Sequence, residues 1–418
     1  MTAAHKRRRL IAAGASLVML GLTLTGAVMP AEAADTTTTK PCAAVKSAKP
    51  GTQVSCVSVT NGGSATPANA PLGSVAATPQ APATTPTSTS GALAAVAASP
   101  SPGKPVAAPK WCATTPTELG IRTGSCRVKY WNLTLWRVST NGVPRLIGTA
   151  TGTLRTYQYM ATWSLYFINQ ATIHVNKTTG EAKSLRMSGG FNCSGKCSRK
   201  LGHLNPRTLP THQDVTVVGG VEPSLAKGTA ATINSYWTLD IWNASPLSTT
   251  AYLDAYSVRT RCDNQAWTLK GEGCVVPWFD PLLTYSKTGK YPEVARHIEK
   301  ALKSGLEGSA AHPLHRTTSK ALAKKNGKVA CPGSLKRPKK HTCDEYPFRS
   351  TKEGAASGGK ARVFSGCHLP TVKGSGKTGF SRCMVLGSQN SGAGGVLGGF
   401  YQSNRVANGG AFRVSITK

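Results

Sequence analysis

Acid is what this chain has least of. Among its 418 residues, 17 are Asp or Glu against 50 Lys and Arg, a formal charge of +33. That balance favours association with polyanions, whether nucleic acid, teichoic-type polymers or acidic membranes, and does not choose among them. Apolar residues are also modest at 39%, with 44 Gly, which argues against one large core and for small domains with spacers. Beyond the first 33 residues no apolar run reaches membrane-spanning length, so stable membrane insertion is not expected. A zinc centre lacks its parts: CSGKC at 193–197 is the only close cysteine pair, and the nearest histidine is the lone His203. KGSGKTG at 373–379 lacks the Gly-x4-Gly-Lys-Ser/Thr spacing of a phosphate-binding loop.

What is present starts with HKRRR, an apolar run from Leu10 to Val28, and Ala31-Glu32-Ala33 where a signal peptidase reads small residues. A polar, Thr-rich start follows, without a basic stop-transfer flank. This predicts a cleaved export signal over 1–33 and a secreted, extracellular protein. The twelve cysteines agree. They fall into six neighbouring pairs (Cys42/Cys56, Cys112/Cys126, Cys193/Cys197, Cys262/Cys274, Cys331/Cys343, Cys367/Cys383), and an even count in an exported chain is read first as a disulfide framework. Sequential pairing is the simplest guess, with metal at CSGKC as its competitor.

A short Cys-bounded segment, 34–61, leads into residues 62–110, almost wholly Ala, Pro, Thr, Ser and Gly. Such a composition cannot bury a core and predicts a disordered linker. Over 111–273 the texture turns to alternation. YWNLTLWRV and PRLIGTATGTL flank Asn141-Gly142, a hairpin signal, and the pattern repeats in SLYFINQATIHV and SYWTLDIW. An all-β domain of sandwich type is expected there. Its Asp240, Asp254 and His174 are scattered singly, so no catalytic set is legible. Exposed aromatics would mark a polymer-binding face, although strand aromatics are usually core.

Residues 274–330 read as a helical bridge. In YPEVARHIEKALKSG, Val294, Ala295, Ile298, Ala301 and Leu302 share one face, Pro292 opens the helix and Gly305 closes it. His297 is placed on the polar side, solvated. HPLHR at 312–316 is either a surface loop or a phosphate contact. From Arg296 onward there are 22 Lys and Arg against five Asp and Glu, and the last three acids, Asp344, Glu345 and Glu353, all fall within CDEYPFRSTKEG. A surface that bound polyanions through charge alone has no use for acids gathered so closely. A divalent cation does, since it carries positive charge to a scissile phosphate; a solvated, capped turn is the alternative. Arg349, Lys352 and Arg382 are candidate DNA phosphate contacts or else solvated charges. A Cys331–Cys343 bridge would hold the acidic pair on a fixed element, and a Cys367–Cys383 bridge would staple a hairpin of KARVFSG and GFSRCMVLGS. Asn390 falls near a helix start, with Val396, Leu397, Phe400 and Tyr401 at helical spacing behind it in a Gly-rich run that weakens the helix.

CDEYPFRSTKEGA, followed by GSQNSGAGGVLGGFYQSNRV and a closing AFRV, resembles the NucA/NucB-type deoxyribonuclease domain of secreted Gram-positive bacterial proteins, over roughly residues 290–418. The resemblance implies an α+β chain whose C-terminal domain, 331–418, has a ββα-metal nuclease fold: a two-stranded finger and a helix gripping one divalent ion, Mg or Mn. It gives Asp344 the role of catalytic base with Glu345 in the same catalytic set, and places Asn390 and Glu353 at the metal. Gln389 and Gly410 depart from the pattern, standing where the family tends to carry acids. The expected function is a secreted, metal-dependent endonuclease that hydrolyses extracellular DNA with little sequence preference. The alternative is a non-catalytic basic protein that holds DNA or an anionic cell-wall polymer.

Overall fold

A computed structural model describes residues 42–60, 103–109, 112 and 117–418. The expected signal peptide and nearly all of the expected linker lie outside the described residues. One described linker residue, Val106, is anchored: its N–H donates to Gln170 Oε1 at 2.9 Å and its carbonyl accepts from Gln170 Nε2 at 2.7 Å.

A single helical turn, α1 (Ala43–Lys46), precedes the strands. Two antiparallel sheets then follow the alternation read from the sequence. The first holds β1 (Gln53–Thr60), β2 (Thr117–Ile121), β3 (Gly124–Val138), β4 (Pro144–Met160), β5 (Phe167–Gly180), β7 (Cys197–Leu201) and β9 (Asp214–Pro223), ordered β1-β3-β4-β5-β9-β7 with β2 beside β3. The second holds β6 (Leu185–Ser194), β8 (His203–Thr208), β10 (Thr229–Asn243), β11 (Ala251–Tyr256), β12 (Thr260–Asn264) and β13 (Glu272–Val275), ordered β13-β12-β10-β6-β8 with β11 beside β10. Gly142 takes the left-handed φ of +80° that the β3–β4 turn requires. Inward residues such as Leu133, Ile173, Phe191 and Trp237 build one shared core. The Trp237 indole, reaching from the second sheet, donates to the Asn169 carbonyl of the first at 3.1 Å, so its polar edge is satisfied inside.

The C-terminal residues form a second core around two three-stranded sheets. Their elements are β14 (Leu282–Ser286), α2 (Pro292–Lys303), β15 (Leu314–His315), α3 (Lys320–Ala330), β16 (His341–Tyr346), β17 (Ala361–Arg362), β18 (Phe380–Leu386), α4 (Gly387–Ser403) and β19 (Ala411–Thr417). Their orders are β14-β19-β15 and β16-β18-β17. The segment expected as a bridge supplies Leu283, Tyr285, Val294, Ile298 and Leu314 to the same core as Tyr346, Val385, Leu397 and Phe412. The expected hairpin of KARVFSG and GFSRCMVLGS is a correction: β17 runs parallel to β18, and the antiparallel partner of β18 is β16. The reason is local, because Val363 exchanges both backbone hydrogen bonds with Val372 at 3.0 Å and turns the chain back before it reaches β18. All six cysteine pairs join chain neighbours, as sequential pairing expects. Among the described residues no helix is long and apolar enough to cross a membrane.

The two cores are clasped by charge. Arg405, just past α4, is 2% exposed and donates to both carboxylate oxygens of Asp263 on β12, and also to the carbonyls of Thr162, Gly271 and Glu272. Asp263 also faces Arg261, whose guanidinium burial pushes down to about 10. One buried carboxylate thus serves two cations, and removing it strands both. Breaking a buried pair costs about 3–5 kcal/mol. Asp263→Ala is therefore expected to lower the denaturant midpoint of the full chain by a corresponding amount, and an unchanged midpoint would show that the clasp contributes nothing.

Candidate active site

α2 carries the residue around which the site is arranged. It buries Val294, Ala295, Ile298 and Ala301, and His297 stands three residues after Val294 and four before Ala301, on the same stripe. It is accordingly 2% exposed. This corrects its expected place on the polar side of the helix: the i, i+3, i+7 pattern points inward, and only the polarity of the imidazole argued otherwise. His297 Nδ1 lies 2.7 Å from Asp344 Oδ2 and Nε2 lies 2.9 Å from Ser381 Oγ. A ring held at both nitrogens has a fixed orientation. Ser, His and Asp in this order match a hydrolytic triad in distance, but Ser381 is wholly buried and cannot meet a substrate. The member that reaches solvent is Asp344, whose side chain keeps 10% exposure.

Strand pleat separates the two neighbouring acids. Successive residues of β16 face opposite ways, so Asp344 and Tyr346 turn toward α2 while Cys343 and Glu345 turn toward α3. Asp344 sits opposite Cys383 and Glu345 opposite Arg382 in the β16–β18 register. The Cys331–Cys343 disulfide ties this second face to the end of α3, and the Cys331 sulfur lies 3.6 Å from Glu345 Oε2. Burial, then the nearby Asp344 charge, pushes the Glu345 carboxyl up to about 7, against a smaller opposing pull from Arg349.

Asn390 lies in the first turn of α4. Its amide nitrogen donates to Thr342 Oγ1 at 3.1 Å and to the Cys343 carbonyl at 3.0 Å. This sets the amide beside the residue that precedes Asp344, with its nitrogen anchored. The helix forms despite its glycines because Ala393, Leu397 and Tyr401 pack at helical spacing. Gly392 is needed where it stands, since a Cβ there would meet Tyr291 Cε1 at 2.3 Å. The N-termini of α2 and α4 also cap each other: Glu293 Oε2 accepts from Leu386 N at 2.7 Å, and Gln389 Oε1 accepts from Glu293 N at 2.9 Å.

The other expected residues are placed elsewhere. Both oxygens of Glu353 are taken by His315, one by its backbone N–H and one by Nδ1, each at 2.8 Å. The structure therefore does not bring Glu353 to Asn390. The Glu353 hydrogen bond pushes the His315 pKa up. Arg316, from the same HPLHR motif, is buried against the Tyr401 ring and donates to the Val406 carbonyl. Arg349 is 68% exposed with Nε 4.0 Å from Glu345, Lys352 is exposed beside a cavity of about 220 Å³, and Arg382 donates to the Ala330 carbonyl. Among the described residues no group of three or more His, Cys, Asp or Glu converges where an ion could sit.

Residues 301–415 match the family model of the deoxyribonuclease NucA/NucB. No curated protein matches the chain. The NucA/NucB match spans about a quarter of the sequence and contains Asp344, Glu345, Ser381 and Asn390, whereas Glu293 and His297 precede it. It also frames the two departures from the NucA/NucB pattern. Gln389 has a structural task as the cap on α2. Gly410 is hemmed in, since a Cβ there would lie 3.1 Å from both the nitrogen and the oxygen of Ala407.

The raised carboxyl gives a pH signature. Because its folded pKa of about 7 lies above the ordinary 4.5, Glu345 costs nothing in strongly acidic solution and destabilises the fold as pH climbs through that interval. The ceiling is about 3 kcal/mol. Glu345→Gln is expected to raise the unfolding midpoint well above neutrality and to leave it unchanged in acid. Equal shifts in both conditions would rule out ionisation as the cause.

Proposed function

We infer that the chain is a secreted, metal-dependent endonuclease that hydrolyses extracellular DNA with little sequence preference. The observation that carries this reading is the Asp344 carboxylate: it is oriented by a buried His297, opens to solvent, and lies next to an anchored Asn390 inside the region that matches the NucA/NucB deoxyribonuclease family. Six disulfides fit an oxidising, extracellular compartment.

His297 engages only Oδ2, so Asp344 can accept a proton through its other oxygen while its rotamer stays fixed. In phosphodiester hydrolysis the water oxygen attacks phosphorus, its proton passes to Asp344, and the phosphorus–oxygen bond to the leaving sugar oxygen breaks as that oxygen is protonated from solvent. Exposed Lys324, Lys325 and Lys328 on α3, with Lys336, Arg337, Lys339 and Lys340 leading into β16, provide the positive field that holds flanking phosphates without reading bases. Arg349 extends that field beside Glu345.

With its nitrogen committed to Thr342 and Cys343, Asn390 has its oxygen as the remaining ligand atom. A small hard cation such as Mg or Mn keeps several waters and needs only one or two protein oxygens, so the absence of a three-residue cluster among the described residues is compatible with it. Asn390 would hold the ion, and Glu353, already saturated by His315, would not. When bound, such an ion neutralises charge on the phosphate and leaving oxygen.

Purified protein is expected to nick and then linearise supercoiled plasmid in Mg or Mn and to stop in EDTA. Asp344→Ala should lose about 10²–10⁴-fold in rate, the usual contribution of a positioned base, while still retarding DNA on a gel. Undiminished cutting by Asp344→Ala, or cutting by the wild type in EDTA, would refute the reading.

A further inference from the structure

The outer face of the second β sheet carries a surface that the nuclease reading does not use. Residues of β6, β10 and β11 that point away from the core line up in rungs set by the strand register. Ser188, Asp240 and Tyr252 form one rung, Gly190, Thr238 and Asp254 the next, and Asn192, Tyr236 and Tyr256 the third. Tyr252 is 69% exposed and Tyr256 44%, although aromatics in strands normally turn inward. Tyr256 stacks on Tyr236 with ring centroids 4.9 Å apart. The middle rung is low: a Cβ built on Gly190 would meet nothing within 4 Å. Two aromatic ridges, at Tyr252 and at the Tyr236–Tyr256 pair, therefore flank a shallow polar floor. They stand four positions apart on β11, about 13 Å of strand.

The polar groups of this floor say what would fit it. Ser188 donates to Asp240 Oδ2 at 3.1 Å and Thr238 donates to Asp254 Oδ1 at 3.0 Å. Each carboxylate is thereby oriented, with lone pairs left to accept hydroxyl donors. Asp240 and Asp254 oppose a phosphate or sulfate group set on the floor between the ridges, while the exposed Arg186 lies one rung beyond, opposite Trp242. Flat rings spaced along a groove offer apolar platforms to the C–H faces of pyranose rings, and the carboxylates and hydroxyls between them match equatorial hydroxyl groups. We propose that the outer face of β6, β10 and β11 is a binding site for an uncharged polysaccharide, with Tyr252, Tyr236 and Tyr256 as stacking platforms and Asp240 and Asp254 as hydroxyl acceptors. The site is distinct from Asp344 and does not depend on the nuclease reading.

The test is retention of the full chain on insoluble cellulose, chitin and a β-1,3-glucan at high salt, where surface charge is screened. The expected result is retention on at least one matrix, reduced at least about tenfold by the Tyr252→Ala, Tyr256→Ala double variant. These rings are exposed and lie outside the core, so the variant should remain folded. Gly190→Arg is a second variant that fills the floor from a position with open space, and it should abolish retention with the tyrosines intact. Failure of the wild type on all three matrices, or undiminished retention by both variants, overturns the proposal. So would binding only to polylysine that is lost in Asp240→Asn, Asp254→Asn but kept in the tyrosine variant, since that pattern would identify a cationic partner.

Discussion

A single contact joins the parts of the C-terminal site: the 2.7 Å hydrogen bond between His297 of α2 and Asp344 of β16. It is made at the cost of burying an imidazole and most of a carboxylate, a cost that is tolerable because both ring nitrogens and the Oδ2 of the carboxylate find partners. Ser381 receives the other ring nitrogen, Tyr346 packs beside Asp344 and donates its hydroxyl to the Glu307 carbonyl at 2.7 Å, and the disulfide at Cys343 fixes the strand from its opposite face. α2, β16 and β18 are thus locked together at a carboxylate that keeps part of its surface in solvent. The mutual capping of α2 and α4 brings Asn390 into the same fixed frame.

The same logic operates at the junction with the β sheets. Arg405 leaves the nuclease-like region to satisfy Asp263 in β12, and Arg122 donates back to the Asn404 and Arg405 carbonyls at 2.8 and 3.0 Å. A basic chain that spends one of its few acids in this buried position gains a directional joint between its two cores. Removal of the β sheets by proteolysis would leave Arg405 without its anion, so the C-terminal region has reason to stay attached to them.

Much of this was legible in the residues. Alternation marked the β strands, Asn141-Gly142 marked the β3–β4 turn, and an even cysteine count made sequential pairing the simplest guess. The family motifs raised Asp344 and Asn390 as expectations, and the fold sets the first against His297 and the second against Cys343. Three things were hidden. A period-2 strand sends adjacent residues to opposite faces, so Asp344 and Glu345 look like a cluster in one dimension and part company in three; Glu353 joins neither, because His315 lies nearer in space than in chain. His297 was misplaced for a different reason: spacing put it on the buried stripe of α2, while polarity argued for solvent, and its buried partners 47 and 84 residues away are invisible from the helix alone. The parallel pairing of β17 with β18 was hidden for a third reason, the short backbone pairing of Val363 with Val372 that turns the chain before it reaches β18.

His297 serves Asp344 by donating one hydrogen bond in a fixed direction. An asparagine amide can reproduce that donation and an alanine cannot. The decisive measurement is the plasmid-cleavage rate at saturating DNA for His297→Asn and His297→Ala, each with its thermal midpoint. His297→Asn is expected to keep most of the rate, and His297→Ala to lose at least about tenfold in kcat with KM little changed, the signature of a group felt in the transition state rather than in binding. Equal rates for the alanine variant and the wild type, or equal losses in both variants that follow their midpoints, would contradict it.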